Sequence, residues 1–166
     1  GRVIDESRDV MSWALAQADP DQWRRPPVSG TADDWIAAND GPFKAALDRY
    51  KYADRHPEHP PRFYRERGEE YLARLDAILA AHRWLHGGQP GRVDAALFPF
   101  IRQFAMVDMA WFRASPYTAL CRWLDAWLEH PLFAAVMDRH APWVPGQAPV
   151  RFAPGPGHRE SAARGK

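Results

Sequence analysis

A single cysteine, Cys121, occurs in the 166 residues. One thiol excludes an internal disulfide and any multi-cysteine zinc site. An excess of charge of either sign is missing too: 22 Lys and Arg stand against 21 Asp and Glu, a formal net charge of +1. So balanced a chain carries no electrostatic footprint for nucleic acid or for a membrane surface. No apolar run approaches the roughly 20 residues of a membrane span. No signal peptide, heptad run or internal repeat is visible. A soluble, cytoplasmic globular chain is therefore expected, with neither nucleic acid nor membrane as partner. An initiator methionine is lacking as well, and Gly1 opens almost directly into the apolar pair Val3-Ile4. We expect the chain to be a piece of a longer protein.

What is present is aromatic and helical. Aromatic residues make up 13 % of the chain, with eight Trp, and apolar residues 46 %, enough to build a sizeable core around large rings. The spacing predicts a first helix from Ser7 to Ala18, ended by Asp19-Pro20 because the residue before proline is pushed out of the helical region. Residues 19–30 read as an exposed, proline-containing linker, with Trp23 packing back on the body. Thr31 and Asp34 form a capping-box pattern that opens a second helix through Trp35, Ile36, Phe43, Leu47 and Tyr50. Gly41-Pro42 predicts a kink in it. A third helix is expected from Pro61 to Leu85, stopped by Gly87-Gly88. A fourth, from Arg92 to Phe112, is apolar nearly all round and so central, with a bend at Pro99. Ser115-Pro116 predicts an N-cap and the start of a fifth helix to His130. A short sixth follows from Pro131 to Arg139. Trp143, Val144, Val150 and Phe152 are expected to anchor part of the remainder, with residues 146–166 a Pro/Gly-rich disordered tail. The fold class is thus mainly all-α, a helical bundle at residues 31–145 preceded by one short strand and one helix at 1–18. A strand needs partners for its edges, and no partner strand is legible here, which again points to a piece.

Two local patterns carry chemistry. In the opening run Gly1-Arg2-Val3-Ile4-Asp5-Glu6-Ser7, an acid and a serine stand where strand gives way to helix. A helix start presents free N–H groups and positive dipole. A serine hydroxyl there can donate to a carboxylate, and an acid can pair with an ammonium, as an α-amino acid moiety requires. Glu6 and Ser7 serve equally well as an ordinary helix cap. In the second pattern, Asp94 stands three residues after Gly91, just before the apolar run Ala95-Ala96-Leu97-Phe98-Pro99. An acid there reaches back to unsatisfied N–H groups of a buried helix start.

Together these patterns resemble the cytosolic glutathione S-transferase superfamily, from Val3 to about Trp143, and within it a bacterial, glutaredoxin-like subgroup. Val-Ile-Asp-Glu-Ser looks like the end of that family's thioredoxin-like domain. Asn39-Asp40-Gly41-Pro42-Phe43-Lys44 and Leu47-Asp48-Arg49-Tyr50-Lys51-Tyr52 look like the subgroup's first helix of the helical domain. Gly91-Arg92-Val93-Asp94-Ala95-Ala96-Leu97-Phe98-Pro99 resembles the family's buried-helix capping motif, with Gly91 in place of the usual Ser or Thr. The resemblance implies a glutathione S-transferase C-terminal bundle behind the last strand and helix of a thioredoxin-like domain. It implies glutathione as cosubstrate, no metal, a small electrophilic or disulfide second substrate, and a homodimer. Ser7 would hold the γ-glutamyl carboxylate and Glu6 the ammonium. The family's Ser, Tyr or Cys nucleophile and its cis-proline lie upstream of the matching region, so no residue here is assigned as catalytic. Transferase and thiol–disulfide chemistry both stay open, as does a non-enzymatic role as a protein–protein interaction module.

Other residues have plain alternatives. Tyr50 and Trp111, with Tyr52 and Phe112, can line an apolar substrate pocket or simply pack the core. Arg49 and Lys51 can face ligand carboxylates or water. Cys121 beside Arg122 reads as a buried free cysteine. His82 and His86, at i, i+4 on the predicted third helix, have metal-binding spacing but fit a solvated helix end better. Glu66, Glu69 and Glu70, interleaved with Arg65 and Arg67, read as a salt-bridged face.

Overall fold

The computed structural model describes residues 3–137, 141–142 and 144–148. The expectations placed on Arg139, Trp143, Val150, Phe152 and residues 149–166 lie outside them. The described residues hold eight α-helices: α1 Ser7–Gln17, α2 Ala32–Ala38, α3 Lys44–Lys51, α4 Pro61–Leu79, α5 Arg92–Val107, α6 Met109–Ala114, α7 Thr118–Leu128 and α8 Pro131–Val136. All belong to a body that ends at Val136. Beyond it, the described residues include a turn in which Gln147 N–H donates to the Val144 carbonyl at 3.1 Å.

α5 is the central helix. Val93, Leu97, Ile101, Phe104 and Ala105 are fully buried along it, and it packs against α2, α3 and α7. α4 packs against α3 and α7 on the far side. Thr31 caps α2 as its pattern predicts, its hydroxyl oxygen accepting from Asp34 N–H at 3.1 Å. The kink foreseen at Gly41-Pro42 takes the form of one wide, π-helical turn at Asn39–Phe43, after which α3 continues. Proline has no N–H to give, and a wider turn accommodates that loss without ending the helix.

Several boundaries differ from expectation for identifiable reasons. No strand occurs among the described residues: Val3–Asp5 run into α1 without pairing, since no neighbouring edge is available to them. α4 stops at Leu79, not Leu85, because a tight turn takes over. Trp84 and Gly87 exchange both backbone hydrogen bonds, at 3.0 and 2.9 Å. Gly87 holds φ +94 there, a value side-chain-bearing residues rarely adopt. α5 runs unbroken through Pro99 and ends instead at Asp108, whose carboxylate accepts from Trp111 N–H at 2.9 Å and so starts α6. Ser115 is not the N-cap of α7. Its hydroxyl donates back to the Phe112 carbonyl at 2.7 Å, and the helix begins at Thr118. The cap comes from α4, where one carboxylate oxygen of Asp76 accepts from Ala119 and Leu120 N–H at 2.8 and 2.9 Å.

The stretch 19–30 is exposed along most of its length, as expected, and it is a strap fastened to the body by backbone and side-chain bonds. Val28 N–H donates to the Leu85 carbonyl at 2.9 Å, and Arg92 N–H to the Trp23 carbonyl at 3.0 Å. The Arg25 guanidinium donates to the carbonyls of Gln89 and Pro90 at 2.6 and 3.1 Å. Trp23 does pack back, edge-on against Trp127 with centroids 6.4 Å apart.

Gly68 lies mid-α4 where the Phe104 ring crosses, and an added Cβ would overlap that ring. Replacing glycine by alanine in a helix ordinarily gains about 1 kcal/mol, whereas overpacking a core costs about 1–3 kcal/mol. The overlap should win, so Gly68→Ala is expected to lower stability by about 1–2 kcal/mol. In a Phe104→Leu background the same change should be neutral or favourable. Urea unfolding of the four variants checks this, and an unchanged midpoint for Gly68→Ala alone would refute the close approach.

Candidate functional site

The start of α1 presents the two residues singled out by the sequence. Glu6, at φ −89 and ψ 131, is the N-cap, and Ser7 is the first helical residue. The helix is closed by the Glu6 backbone carbonyl, which accepts from Asp9 and Val10 N–H at 2.9 and 3.0 Å. No side-chain cap bond is made. Both side chains are exposed. Ser7 is therefore not acting as the ordinary cap that its position allowed, and among the described residues its hydroxyl has no partner. α1 buries none of its residues, and Trp13 is 55 % exposed.

Between α1 and the helical body lies a cleft of about 240 Å³, lined by Arg8, Met11 and Ser12 on one side and Asp33, Ile36 and Arg92 on the other. The Arg92 guanidinium donates to Asp33 at 3.0 Å and ties α5 to α2 along its wall. Asp9 lines the cleft as well, with the Arg8 guanidinium 3.8 Å from its carboxylate, so each wall carries an arginine paired with an aspartate and the lining is balanced in charge.

Tyr50 and Trp111 are brought together around one ring. Their centroids lie 5.1 and 6.3 Å from that of Phe104. Tyr50 is buried and Trp111 half-buried. Arg65 stacks over Trp111, its guanidinium carbon 4.3 Å from the ring centroid. It also pairs with Glu69 at 3.2 Å. Glu69 in turn accepts from the Tyr117 hydroxyl at 3.0 Å. Burial, outweighing the neighbouring Arg65, pushes the Tyr50 hydroxyl above its ordinary value. Arg65 was legible only as part of a salt-bridged face; it is also the polar lid on this aromatic pair. Lys51 reaches Gln103 at 3.0 Å, and Arg49 is exposed. The two regions are distinct, since neither Tyr50 nor Trp111 lines the α1 cleft.

The remaining candidates resolve plainly. Cys121 is half-buried with its thiol 3.4 Å from the Phe112 carbonyl, and burial pushes it up from its ordinary value. A thiol so placed is a poor nucleophile. His82 and His86 share no helix face, because α4 ends before either: His82 is exposed in the following turn and His86 is buried. Among the described residues no three His, Cys, Asp or Glu side chains are grouped to hold a metal ion, and no helix is long and apolar enough to cross a membrane. Arg62–Glu66 and Arg65–Glu69 form i,i+4 pairs on α4, as the interleaved charges predict.

What holds the body together at the start of α5 is Asp94. It is fully buried. One carboxylate oxygen accepts from Leu85 N–H and from the Trp123 indole N–H, each at 2.8 Å. The other accepts from Gly91 N–H at 3.0 Å. Burial outweighs these three donors and pushes the carboxyl up to about 6. The folded state therefore holds this proton where the unfolded chain has lost it. That contribution to stability is fully present below an ordinary value of 3.8 and is lost as pH rises through about 6. Measured against Asp94→Asn, which does not titrate, wild-type stability should decline across that window and run parallel above it. Parallel curves throughout would mean that the carboxyl is solvated. Asp94→Ala orphans all three donors at once and should cost about 3 kcal/mol or more. Chemical denaturation measures that loss directly.

Residues 33–126, more than half of the chain, match the family described as "Glutathione S-transferase, C-terminal domain". Comparison with curated proteins returns no match. Two solved structures share the fold. One is a glutathione transferase from Burkholderia graminis, described as holding two glutathione molecules per subunit. It is 17 % identical with TM-score 0.61, over 80 % of this chain and 58 % of that one. The other is a glutathione S-transferase from Xanthobacter autotrophicus, 21 % identical with TM-score 0.56, over 77 % of this chain and 63 % of that one. The chain thus spans about three fifths of the length of either.

Proposed function

Because the chain belongs to the glutathione S-transferase family through the C-terminal domain at residues 33–126, we propose that it is the helical part of a glutathione-dependent enzyme. The family match is the observation that carries this reading. It is supported by the start of α1, where an exposed acid and an exposed serine hydroxyl stand beside an uncapped helix N-terminus. In this reading Ser7 donates to the γ-glutamyl carboxylate of glutathione and Glu6 accepts from its ammonium. The Tyr50–Trp111 pair, under Arg65, faces the second substrate, a small electrophile or a disulfide. The nucleophile comes from the thioredoxin-like half of the fold. A Ser or Tyr there makes a transferase, in which glutathione sulfur bonds to the electrophile. A Cys there makes a thiol–disulfide oxidoreductase working through a mixed disulfide, and the subgroup resemblance favours it. Pairing of two copies and a cytoplasmic setting complete the proposal.

Assayed with glutathione and a model electrophile, the 166-residue chain alone is expected to show no turnover above background. The one thiol it contains is half-buried and raised in pKa. Robust turnover would overturn the reading and direct attention to Cys121.

The binding assignment is tested separately, in a chain that carries the thioredoxin-like half. Ser7→Ala should weaken glutathione binding by roughly ten- to a hundredfold, because a hydrogen bond to a charged group contributes about 1.5–3 kcal/mol. Glu6→Gln should weaken it less, since the amide oxygen still accepts from an ammonium. Titration calorimetry reads both. Wild-type affinity in Ser7→Ala would remove Ser7 from the site.

A further inference from the structure

The usual cap of a helix like α5 is a serine or threonine, whose oxygen accepts from the N–H of the second or third helical residue. Here the N-cap is Gly91. The reason lies in a residue from another segment. A Cβ on Gly91 would fall 2.5 Å from both Cγ and Cδ2 of His86, so the imidazole fills the space that a capping side chain would use. It also does the work of one: Val93 N–H, second in α5, donates to His86 Nε2 at 3.2 Å. With Nε2 accepting, the proton of the neutral ring sits on Nδ1. That atom is buried and makes no hydrogen bond among the described residues.

We propose that His86 is the N-cap of α5, supplied from the Trp84–Gly87 turn, and that its protonation unfastens the strap 19–30 and this turn from the start of α5. The strap is held at this junction by three links and outside it by the Trp35 indole, which donates to the Ser29 carbonyl at 2.8 Å, and by Trp23 against Trp127. Val28 bonds Leu85, Arg25 bonds Gln89 and Pro90, and Arg92 bonds Trp23. Placing a proton on Nε2 turns the acceptor into a donor aimed at another donor. It also adds positive charge at the positive end of a helix. The charged groups that face the ring are Arg25 from the strap and Arg92 from α5, both cations; Asp94 lies two residues further on the same helix start. Burial, with these cations, holds His86 below its ordinary value of 6.5. The sign follows: the cap is intact above that value and is lost as pH falls below it. Because α1 buries nothing of its own, release of the strap also releases α1. The inference does not depend on the glutathione reading.

The full chain is followed by amide hydrogen exchange, with protection corrected for intrinsic rate, from about pH 7.5 to about pH 5. In the wild type, Val28, Arg92 and Val93 should lose protection together, roughly tenfold or more, while Leu72 in α4 keeps its own. His86→Gln offers a carbonyl oxygen that does not titrate, so protection at the three amides should no longer vary with pH. The pair His86→Ala with Gly91→Ser restores a cap within the helix itself and should behave likewise, whereas Gly91→Ser alone should destabilise. Nitrogen-edited NMR of the wild type should find the imidazole proton on Nδ1, a measurement that needs no variant. Asp94, raised to about 6, acts in the opposite direction and favours the closed form as pH falls. Loss of protection that persists in His86→Gln would assign the release to a group other than His86 and overturn the proposal. So would a wild-type ring protonated on Nε2, or amides that ignore its titration.

Discussion

The buried carboxylate of Asp94 is the constraint on which the body depends. Three segments that do not touch in sequence, the Trp84–Gly87 turn, the start of α5 and the middle of α7, meet because each sends one N–H to the same two oxygens. A fully buried acid is unfavourable unless its lone pairs are used. Here three donors share the two oxygens, so loss of the carboxylate would orphan all three at once. The aromatic cluster follows from this arrangement. With Trp123 held by its indole N–H, Trp127 lies one turn further along α7, stacked on Phe98 at 5.2 Å and edge-on to Trp84 at 5.4 Å. Large rings supply area, while the carboxylate supplies the register in which they pack.

The candidate site hangs from the same junction. α1 owes its place to the strap that follows it, since it buries nothing itself. The strap owes its place to the Trp84–Gly87 turn and to Arg92. Arg92 is thus doubly engaged, with backbone N–H to the strap and guanidinium to Asp33 on α2. Glu6 and Ser7 are positioned at one remove from the core, on an element whose opening is inexpensive compared with that of α4 or α5. The Tyr50–Trp111 region contrasts with it. It is built on Phe104, one of the fully buried side chains.

Most of the helices were legible because periodicity and punctuation agreed. Thr31 opened α2, Pro61 opened α4, and the apolar circumference of the fourth predicted helix marked α5 as central. Asp94 was legible from its place three residues into that helix. What was not legible shares one cause: the deciding partner lies far away in sequence. Ser115-Pro116 has the local form of a cap, but α7 takes its cap from Asp76, which nothing near either residue announces. His86 was read as part of a helical pair, and only the absence of a side chain at Gly91 hinted that another group filled its space. The opening pair Val3-Ile4 has strand composition, yet a strand is a property of two segments and only one is here.

The capping of α7 from α4 bears on the order in which the molecule is made. α7 is 11 residues long, a length at which an isolated helix is marginal in water. Its first turn bonds to Asp76 across 43 and 44 residues of sequence. Asp76 precedes α7 in the chain, just as His86 precedes α5. During synthesis the acceptor has therefore left the ribosome before the donors that need it, and α4 can present Asp76 as a template on which α7 winds. For these two caps the dependence runs from N-terminus to C-terminus; the strap and the Trp84–Gly87 turn run the other way, since Val28 waits for Leu85 and Leu85 for Asp94.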